Sequence, residues 1–240
     1  MLRKLLFTIL VILVSGCNSS NCPEPTKTGS NSGVPSGCFD VYVLAETWFP
    51  QYCTRRSDYS CDGLKNTWVA TNLGAHGLWP QYKEFKGDPS VPTYPTNCTN
   101  SPGGSKFIPS DLSSQLKEKY VKLSPIDGLN LANHEWKKHG TCSNMTQQNY
   151  FNQVINYVVN KIPTPQSFKF NIGKSVSYQQ LVNWYNGAKW VLLRCYYDKD
   201  TNKQYLSEIR TFWSKAGVRI ENPGLIGSCK ENLPIYIRGV

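Results

Sequence analysis

The sequence contains no apolar run long enough to cross a membrane. The longest run, residues 5–14, is about half of the ~20 residues that a membrane-spanning helix needs. Two basic residues precede this run, and three small residues, ending at Cys17, follow it. This arrangement is typical of a secretory signal peptide, which we assign to residues 1–17. We therefore expect an exported protein without a transmembrane segment.

The end of this segment has a second interpretation. Residues 14–17, Val-Ser-Gly-Cys, also resemble a bacterial lipoprotein cleavage box, in which Cys17 would carry a lipid tether. We favour an ordinary cleavage site near Cys17, with tethering as the minor alternative. We therefore expect the protein to be secreted or delivered to a lysosome or vacuole.

The sequence also lacks the residue spacings of metal sites. It has no Cys-x-x-Cys pair, and its His-Glu motif at His134 is followed by a histidine after five residues, at His139. Zinc peptidases use an interval of four, which puts both ligands on one face of a helix. We therefore predict no metal and no cofactor.

Cysteines, in contrast, are plentiful. Apart from Cys17 the chain has eight, and an even number in an exported protein predicts four disulfides. Spacing alone does not choose among the possible connectivities. The eight are Cys22, Cys38, Cys53, Cys61, Cys98, Cys142, Cys195 and Cys229.

The chain has no internal repeats, and we predict a single domain that is preceded by a leader segment. Residues 18–37 are rich in Ser, Asn, Gly and Pro and are predicted to be flexible. Residues 38–240 have the length of a single domain with its own core. Residues 83–110 are dense in turn-forming residues and predict a long surface loop.

Strand-like and helix-like segments are mixed along this domain. Strands are predicted at residues 39–49, 189–197, 204–213 and 234–238, and a further strand is expected to end at HGLWP after residues 68–73. Helices are predicted at about 110–123, capped by Ser110 and Asp111, and at 130–139, 147–161 and 177–185. Because the late strands follow one another, we predict an α+β domain with a mainly antiparallel central sheet, flanked by helices and stapled by disulfides.

Histidine is the scarcest chemically active residue. The chain has three, His76 in HGLWP and His134 and His139 in HEWKKHGTC. Histidine is well suited to moving protons near neutral pH because its ordinary pKa is ~6.5. Since every histidine lies beside Trp, Glu or Lys, the pattern indicates a proton-transfer site built from two distant segments.

The second motif can be analysed as a helix with ~100° per residue. Four residues then share one side within about 140°, namely His134, Glu135, Lys138 and His139. Trp136 points away, towards a core, and Lys137 falls outside the group. The spacing therefore selects one of the two lysines for the site.

This set of side chains meets the needs of phosphoryl transfer without a metal. The reaction requires a base for the nucleophile, an acid for the leaving oxygen and positive charge for the transition state. A 2′-hydroxyl that attacks its own phosphodiester supplies the nucleophile, so we predict RNA as substrate and no cleavage of DNA. The formal net charge of +10 is consistent with a polyanionic partner.

HGLWP followed by HEWKKHGTC resembles the paired signatures of the ribonuclease T2 family, which are exported and usually acid-active endoribonucleases. The resemblance covers about residues 38–235. It includes Trp48-x-Pro50 with Cys53 shortly after, Cys98 in the intervening loop and the SYQQLV segment at 177–182.

The resemblance implies a role for each site residue. His139 would be the general base for the 2′-hydroxyl and His76 the general acid for the departing 5′-oxygen, with a 2′,3′-cyclic phosphate as product. Three further residues would bind the phosphate and stabilise the transition state, namely His134, Glu135 and Lys138. Trp79 resembles the aromatic residue on which a base stacks, and the alternative is a core tryptophan.

The resemblance also implies three disulfides, Cys53–Cys61, Cys98–Cys142 and Cys195–Cys229, which leaves Cys22–Cys38. The sequence adds Asn-x-Ser/Thr triplets at Asn97 and Asn144, where we expect glycosylation. The leading hypothesis is a monomeric, exported, metal-independent endoribonuclease. Its rivals are a non-catalytic relative that binds RNA or a protein partner, and a basic hydrolase of another kind.

Overall fold

The computed structural model describes residues 22–26, 28–83 and 93–240. The predicted signal peptide and Cys17 lie outside the described residues. Across these described ranges, no helix is both long and apolar enough to cross a membrane.

The core of the fold is a seven-stranded sheet with the order β3-β2-β7-β9-β5, in which β6 and β8 also pair with β7. All pairings are antiparallel except that of β7 with β9, which confirms the predicted α+β class with a mainly antiparallel sheet. A separate pair is formed by β1 and β4. The strands are β1 (Ser30–Ser32), β2 (Val41–Thr47), β3 (Gly74–Gln81), β4 (Tyr94–Thr96), β5 (Ser175–Val176), β6 (Val191–Asp198), β7 (Lys203–Ser214), β8 (Arg219–Ile220) and β9 (Ile235–Tyr236).

In the described part of the chain, six α-helices flank the sheet. They are α1 (Phe49–Cys53), α2 (Ser114–Leu123), α3 (Gly128–Lys138), α4 (Gln147–Asn156), α5 (Gln166–Lys169) and α6 (Tyr178–Asn183). The predicted helix at 147–161 continues beyond α4 as a π-helical turn, Tyr157–Lys161. The predicted helix at 177–185 is shorter, and Ser177 and Gln180 form a capping box at its start.

Three predicted boundaries were wrong. Ser113, not Ser110 or Asp111, caps α2, because its hydroxyl accepts the Leu116 N–H at 3.2 Å while residues 109–111 form a separate 3₁₀ turn. The predicted strand at 39–49 is shorter, since Phe49 and Pro50 already belong to α1. The strand that ends at HGLWP begins only at Gly74, because residues 68–70 of the predicted strand form a 3₁₀ turn, and β3 ends one residue after HGLWP, at Gln81.

Two segments predicted to be irregular contain strands. Ser30–Ser32 of the proposed flexible leader pairs in parallel with Tyr94–Thr96 of the proposed surface loop. Backbone hydrogen bonds extend this contact from Gly33 N–H to the Thr96 carbonyl and from Ser36 N–H to the Thr99 carbonyl. Composition missed this pairing because both strands are three residues long and hold turn-forming residues.

Two hydrophobic clusters hold the helices on the sheet. The first joins β2 and β3 to α2, α3 and α4, and its fully buried members include Tyr42, Leu44, Leu78, Tyr120, Trp136 and Phe151. The second joins β7 and β9 to α5 and α6 and includes Trp48, Phe168, Leu181, Ile209 and Ile235. Trp136 therefore faces the core, as the helical spacing predicts.

The four implied disulfides are present. They are Cys22–Cys38, Cys53–Cys61, Cys98–Cys142 and Cys195–Cys229. Cys98–Cys142 links the segment after β4 to the turn that follows α3. This link matters for function because α3 and its C-terminal residue carry four of the predicted site residues.

Candidate active site

His76 lies at a bulge in β3. Ala45 of β2 is opposite Gly77 and Glu46 is opposite Ala75, so His76 is the extra residue between two regular pairs. A bulge interrupts the ladder and changes the direction of a side chain, and bulges are frequent beside active sites. The irregular register thus explains how His76 projects from a strand whose neighbours are buried.

Helix α3 supplies the opposite wall of the site. His134, Glu135 and Lys138 belong to its last turns, and His139 is the C-terminal capping residue, with φ −120° and ψ −47°. Glu135 is buried and accepts a hydrogen bond from Trp79 Nε1 at 2.6 Å. Its other oxygen, Oε1, lies 3.7 Å from His76 Nε2. Glu135 therefore joins the two sequence motifs.

The absence of a side chain at Gly77 makes this junction possible. A Cβ at Gly77 would collide with Glu135 Oε2 and Trp79 Nε1. The glycine of HGLWP therefore provides space for the buried carboxyl group and not turn flexibility, because Gly77 lies within the strand.

One cavity of about 240 Å³ brings the predicted site residues together. All six of them line it: His76, Trp79, His134, Glu135, Lys138 and His139. Three further residues complete the lining, namely Gln81, Tyr94 and Arg210. Lys137 is not among them, which agrees with its position on the helix.

Carboxylates surround His76. Its Nδ1 lies 2.6 Å from Glu208 Oε2, and Glu208 Oε1 accepts a hydrogen bond from Arg210 Nε at 2.6 Å. Burial acts to lower the pKa of His76, but the charges of Glu208 and Glu135 outweigh it, so the pKa is raised above its ordinary value. The protonated form of His76 is therefore favoured, with Nε2 directed towards Glu135.

Cations surround His139. This histidine is 5% exposed, and its Nδ1 is buried without a hydrogen-bond partner within the described part of the chain. Burial, Lys138 and the other two histidines together hold its pKa well below the ordinary value. The neutral form of His139 is therefore favoured. Burial and Lys138 also lower the pKa of His134.

The two buried glutamates of the site differ. Burial raises the pKa of Glu135 to about 7, although the charge of His76 and the bond from Trp79 oppose this. Burial acts to raise the pKa of Glu208 as well, but His76 and Arg210 outweigh it and lower that pKa to about 2. Glu208 is thus a permanent anion, whereas Glu135 can hold a proton in mildly acidic solution.

Trp79 packs between charged and aromatic neighbours. Its ring stacks on His139 with centroids 5.1 Å apart, and the Arg210 guanidinium lies 4.7 Å from the indole centroid. Tyr94 lies near the same histidine, with ring centroids 5.9 Å apart. Base stacking on Trp79 stays a prediction, and the side-chain contacts of Trp79 include His76, Glu135, His139 and Arg210.

Sequence reasoning missed Glu208, Arg210 and Tyr94. A signal for the first two exists, because Glu208 and Arg210 are charged residues at alternate positions in the strand sequence QYLSEIRTFW. Alternation puts both side chains on one face of the sheet, which is the face of the site. Tyr94 carries no comparable signal because its strand was predicted to be a loop.

The chemistry available here is acid–base. The cavity holds one histidine biased towards its protonated form and one biased towards its neutral form, with Lys138 and Arg210 as positive charges. Over the described ranges, no group of three or more His, Cys, Asp or Glu residues has an arrangement that could hold a metal ion.

Comparison with known proteins identifies the family of this chain. The model of the ribonuclease T2 family matches residues 39–229. The chain belongs to the ribonuclease T2 family. Ribonuclease 1 of Arabidopsis thaliana is 32% identical to it over 155 residues, which cover 63% of this chain and 58% of that protein. Ribonuclease MC of Momordica charantia is 29% identical over 190 residues, which cover 75% of this chain and 91% of that protein.

Solved structures share the fold of this T2-family chain. The crystal structure of RNase NT in complex with 5′-AMP has a TM-score of 0.62 at 22% identity, covering 84% of this chain and 99% of that chain. The chain spans about half the length of several curated relatives that it matches. The family model begins at residue 39, so β1 and the rest of the leader lie before the matched region.

Proposed function

We propose that this T2-family protein is a metal-independent endoribonuclease that cleaves single-stranded RNA by transesterification. The observation that carries the proposal is the opposite protonation bias of two histidines in one cavity. His76 faces carboxylates and favours its protonated form, whereas His139 faces cations and favours its neutral form. Acid–base catalysis needs one group in each state at the same pH.

The proposed reaction assigns one proton transfer to each histidine. His139 takes the proton from the 2′-hydroxyl, and the 2′-oxygen then attacks the adjacent phosphorus. The bond from phosphorus to the 5′-oxygen breaks, and His76 gives its proton to that oxygen. The products are a 2′,3′-cyclic phosphate and a free 5′-hydroxyl.

Three residues of α3 would act on the phosphate. Lys138 and His134 would bind its non-bridging oxygens, where negative charge accumulates in the transition state. Glu135, with a pKa of about 7, can hold a proton in mildly acidic solution and donate a hydrogen bond to the same oxygens. This contribution would favour activity below neutral pH.

Glu208 acts through His76 as a positioning residue. Its bond to Nδ1 fixes the ring and leaves Nε2 as the nitrogen that faces the reaction. Arg210 binds the other oxygen of the same carboxylate and orients it. This arrangement parallels other enzymes in which a buried carboxylate holds a catalytic imidazole in one orientation.

The wider setting follows from the same proposal. The substrate is RNA, DNA is not cleaved because it lacks the 2′-hydroxyl, and the protein acts as a monomer. Export to the cell exterior, or to a lysosome or vacuole, fits the N-terminal pattern and the four disulfides. Asn97 and Asn144 are exposed, so both are accessible for glycosylation.

Incubation of the folded protein with RNA in excess EDTA tests the proposal. We expect cleavage at an undiminished rate, with 2′,3′-cyclic phosphate ends detected by mass spectrometry and no cleavage of matching DNA. Intact RNA that nevertheless binds the protein would favour the non-catalytic relative. Loss of cleavage on chelation would favour a metal-dependent hydrolase.

A further inference from the structure

A second cavity of about 240 Å³ lies on the other side of His76. It shares His76 and Arg210 with the first cavity, and Glu208 also lines it. Arg55, just after α1, and Arg194, on β6, complete its charged lining together with Asp127. Apart from His76, Glu208 and Arg210, its lining residues have no role in the proton transfers described above.

The two carboxylates of this cavity are already engaged. Both oxygens of Glu208 are bonded, one to His76 and the other to Arg210. Asp127 receives hydrogen bonds from Arg56 at 2.6 Å and from the Tyr52 hydroxyl at 2.8 Å. The oxygens of both carboxylates therefore already have hydrogen-bond partners.

Arg55 and Arg194 have no such partner. Within the described ranges, neither guanidinium lies within 4.0 Å of a carboxylate oxygen, although Arg194 is directly opposite Glu208 in the β6–β7 register. The Arg55 guanidinium lies 5.1 Å from the ring centroid of Tyr196, at the exposed rim. Arg194 is partly buried in the lining of the same cavity.

Two unpaired guanidinium groups in one cavity indicate an anionic ligand. Burial and the neighbouring Arg210 lower the pKa of Arg194, and the charge of Glu208 offsets them only in part. An anion between the two arginines would compensate the charge of Arg194. Phosphate suits arginine particularly, because the planar guanidinium offers paired donors that match two phosphate oxygens.

The direction of the RNA chain follows from the positions of the two histidines. His139 lines the first cavity and not the second, so the nucleotide that carries the attacking 2′-hydroxyl lies in the first. His76 lines both, and it donates its proton to the leaving 5′-oxygen. The leaving nucleotide therefore extends past His76 into the second cavity.

We propose that Arg55 and Arg194 form a subsite for the phosphate on the 3′ side of the leaving nucleotide. This inference rests on the proposed function and extends it to the phosphate after the scissile one. The subsite gives the enzyme a preference for bonds inside a chain, since a terminal nucleoside lacks this phosphate.

A pair of small substrates with the same scissile bond tests the subsite. One is a dinucleoside monophosphate and the other is the same molecule with an added 3′-phosphate. We expect kcat/KM to be roughly ten-fold higher for the phosphorylated form, as one charge-assisted phosphate contact provides. The ratio of the two kcat/KM values is the measurement, so a general loss of activity in a variant cancels.

Three variants distinguish an effect of the subsite from an effect of the overall charge of the protein. We expect Arg194→Gln and Arg55→Gln to bring the ratio towards one, and Lys119→Gln, an equal loss of charge on the exposed face of α2, to leave it unchanged. On longer RNA, each arginine variant lowers the slope of log kcat/KM against log salt by ~0.7, as expected for one lost phosphate contact. The lysine variant does not.

The failure of the subsite and the failure of the proposed function look different. Equal kcat/KM for both substrates, or an unchanged ratio in both arginine variants, would overturn the subsite and leave the ribonuclease intact. If neither substrate is cleaved, the proposed function fails. Calorimetry with thymidine 3′,5′-bisphosphate and thymidine 5′-monophosphate then decides the subsite separately, and equal affinities reject it.

Discussion

His76 and His139 both contact the ring of Trp79, yet their surroundings are opposite in charge. His76 contacts Glu208 and approaches Glu135, whereas His139 faces Lys138 and two other histidines. One imidazole is held towards protonation and the other away from it. The comparison teaches that, in the proposed mechanism, the charges around each histidine decide which one would act as acid and which as base.

These charges come from different parts of the fold. The anionic side of the site depends on β7, which supplies Glu208, whereas the cationic side depends on the last turn of α3, which supplies Lys138. The two sides can therefore be changed separately by mutation. The predictions below use this independence, from the largest expected effect to the smallest.

Removal of either histidine tests the comparison most severely. We expect His76→Ala and His139→Ala each to lower kcat by about 10²–10⁴-fold, because each removes one proton-transfer group. The measurement is initial-rate kinetics on RNA, with circular dichroism as a check on folding. Near-normal activity in either variant would show that the acid–base assignment is wrong.

Glu208→Gln tests the anionic side. The variant keeps a hydrogen-bond acceptor for His76 but loses the charge that raises its pKa, so the alkaline limb of the pH–rate profile should move to lower pH. At pH 7 we expect a roughly 10- to 100-fold lower rate, because the variant loses the negative charge that stabilises protonated His76.

The exposed Glu221→Gln provides a matched control, because Glu221 pairs with Lys189 at the surface. That variant removes the same charge and should leave the profile in place. An alkaline limb that does not move in Glu208→Gln would mean that Glu208 has only a structural role.

Lys138→Gln tests the cationic side and should act in the opposite direction. Burial is the main cause of the low pKa of His139, and Lys138 is the next, so removing its charge raises that pKa. The acid limb of the profile should then move to higher pH, with about a ten-fold loss of rate from the weaker phosphate contact. Lys137→Gln, outside the cavity, should leave the limb unchanged.

Substitution of Glu46 should have the smallest effect on catalysis. It is buried beside Thr47 on β2, outside both cavities, and burial raises its pKa well above the ordinary value. The folded protein therefore binds this proton more tightly than the unfolded chain, so the free energy of unfolding falls as the pH rises above ~4.3.

We expect Glu46→Gln to leave kcat unchanged. The variant should also remove the fall in the free energy of unfolding with rising pH. The gain in unfolding free energy at neutral pH is about 1.4 kcal/mol for each unit by which the folded pKa exceeds the unfolded one. Thermal unfolding from pH 4 to 8 measures it. Equal pH dependence in the wild type and the variant would contradict the shift at Glu46.

The sequence predicted the residues of the cationic side of the site better than those of the anionic side. The residues of α3 are close in sequence, so helical geometry alone grouped His134, Glu135, Lys138 and His139 and excluded Lys137. Glu208 and Arg210 reach His76 only through strand register across β2 and β7, and a bulge at His76 shifts that register. Such long-range pairing does not follow from local pattern.

The same limit applies to the fold. The mixed α+β class and the long helices follow from periodicity, because each element shows its own pattern within ten residues. The pair of β1 and β4 does not, because each strand contributes only three residues and neither alternates clearly. Its stability comes from the partner strand and from the contacts of Ser36, which donates to the Thr141 carbonyl at 2.7 Å.

The leader contact has a practical consequence for producing the protein. A recombinant chain that begins at residue 38 would match the family region, yet it would leave Cys38 as a free thiol and β4 as an uncovered edge strand. Both features promote aggregation and wrong disulfide pairing. It would also remove Gly37 and Ser36, which hold the turn just after His139. The residue at which an expressed chain starts therefore affects the structure of the active site.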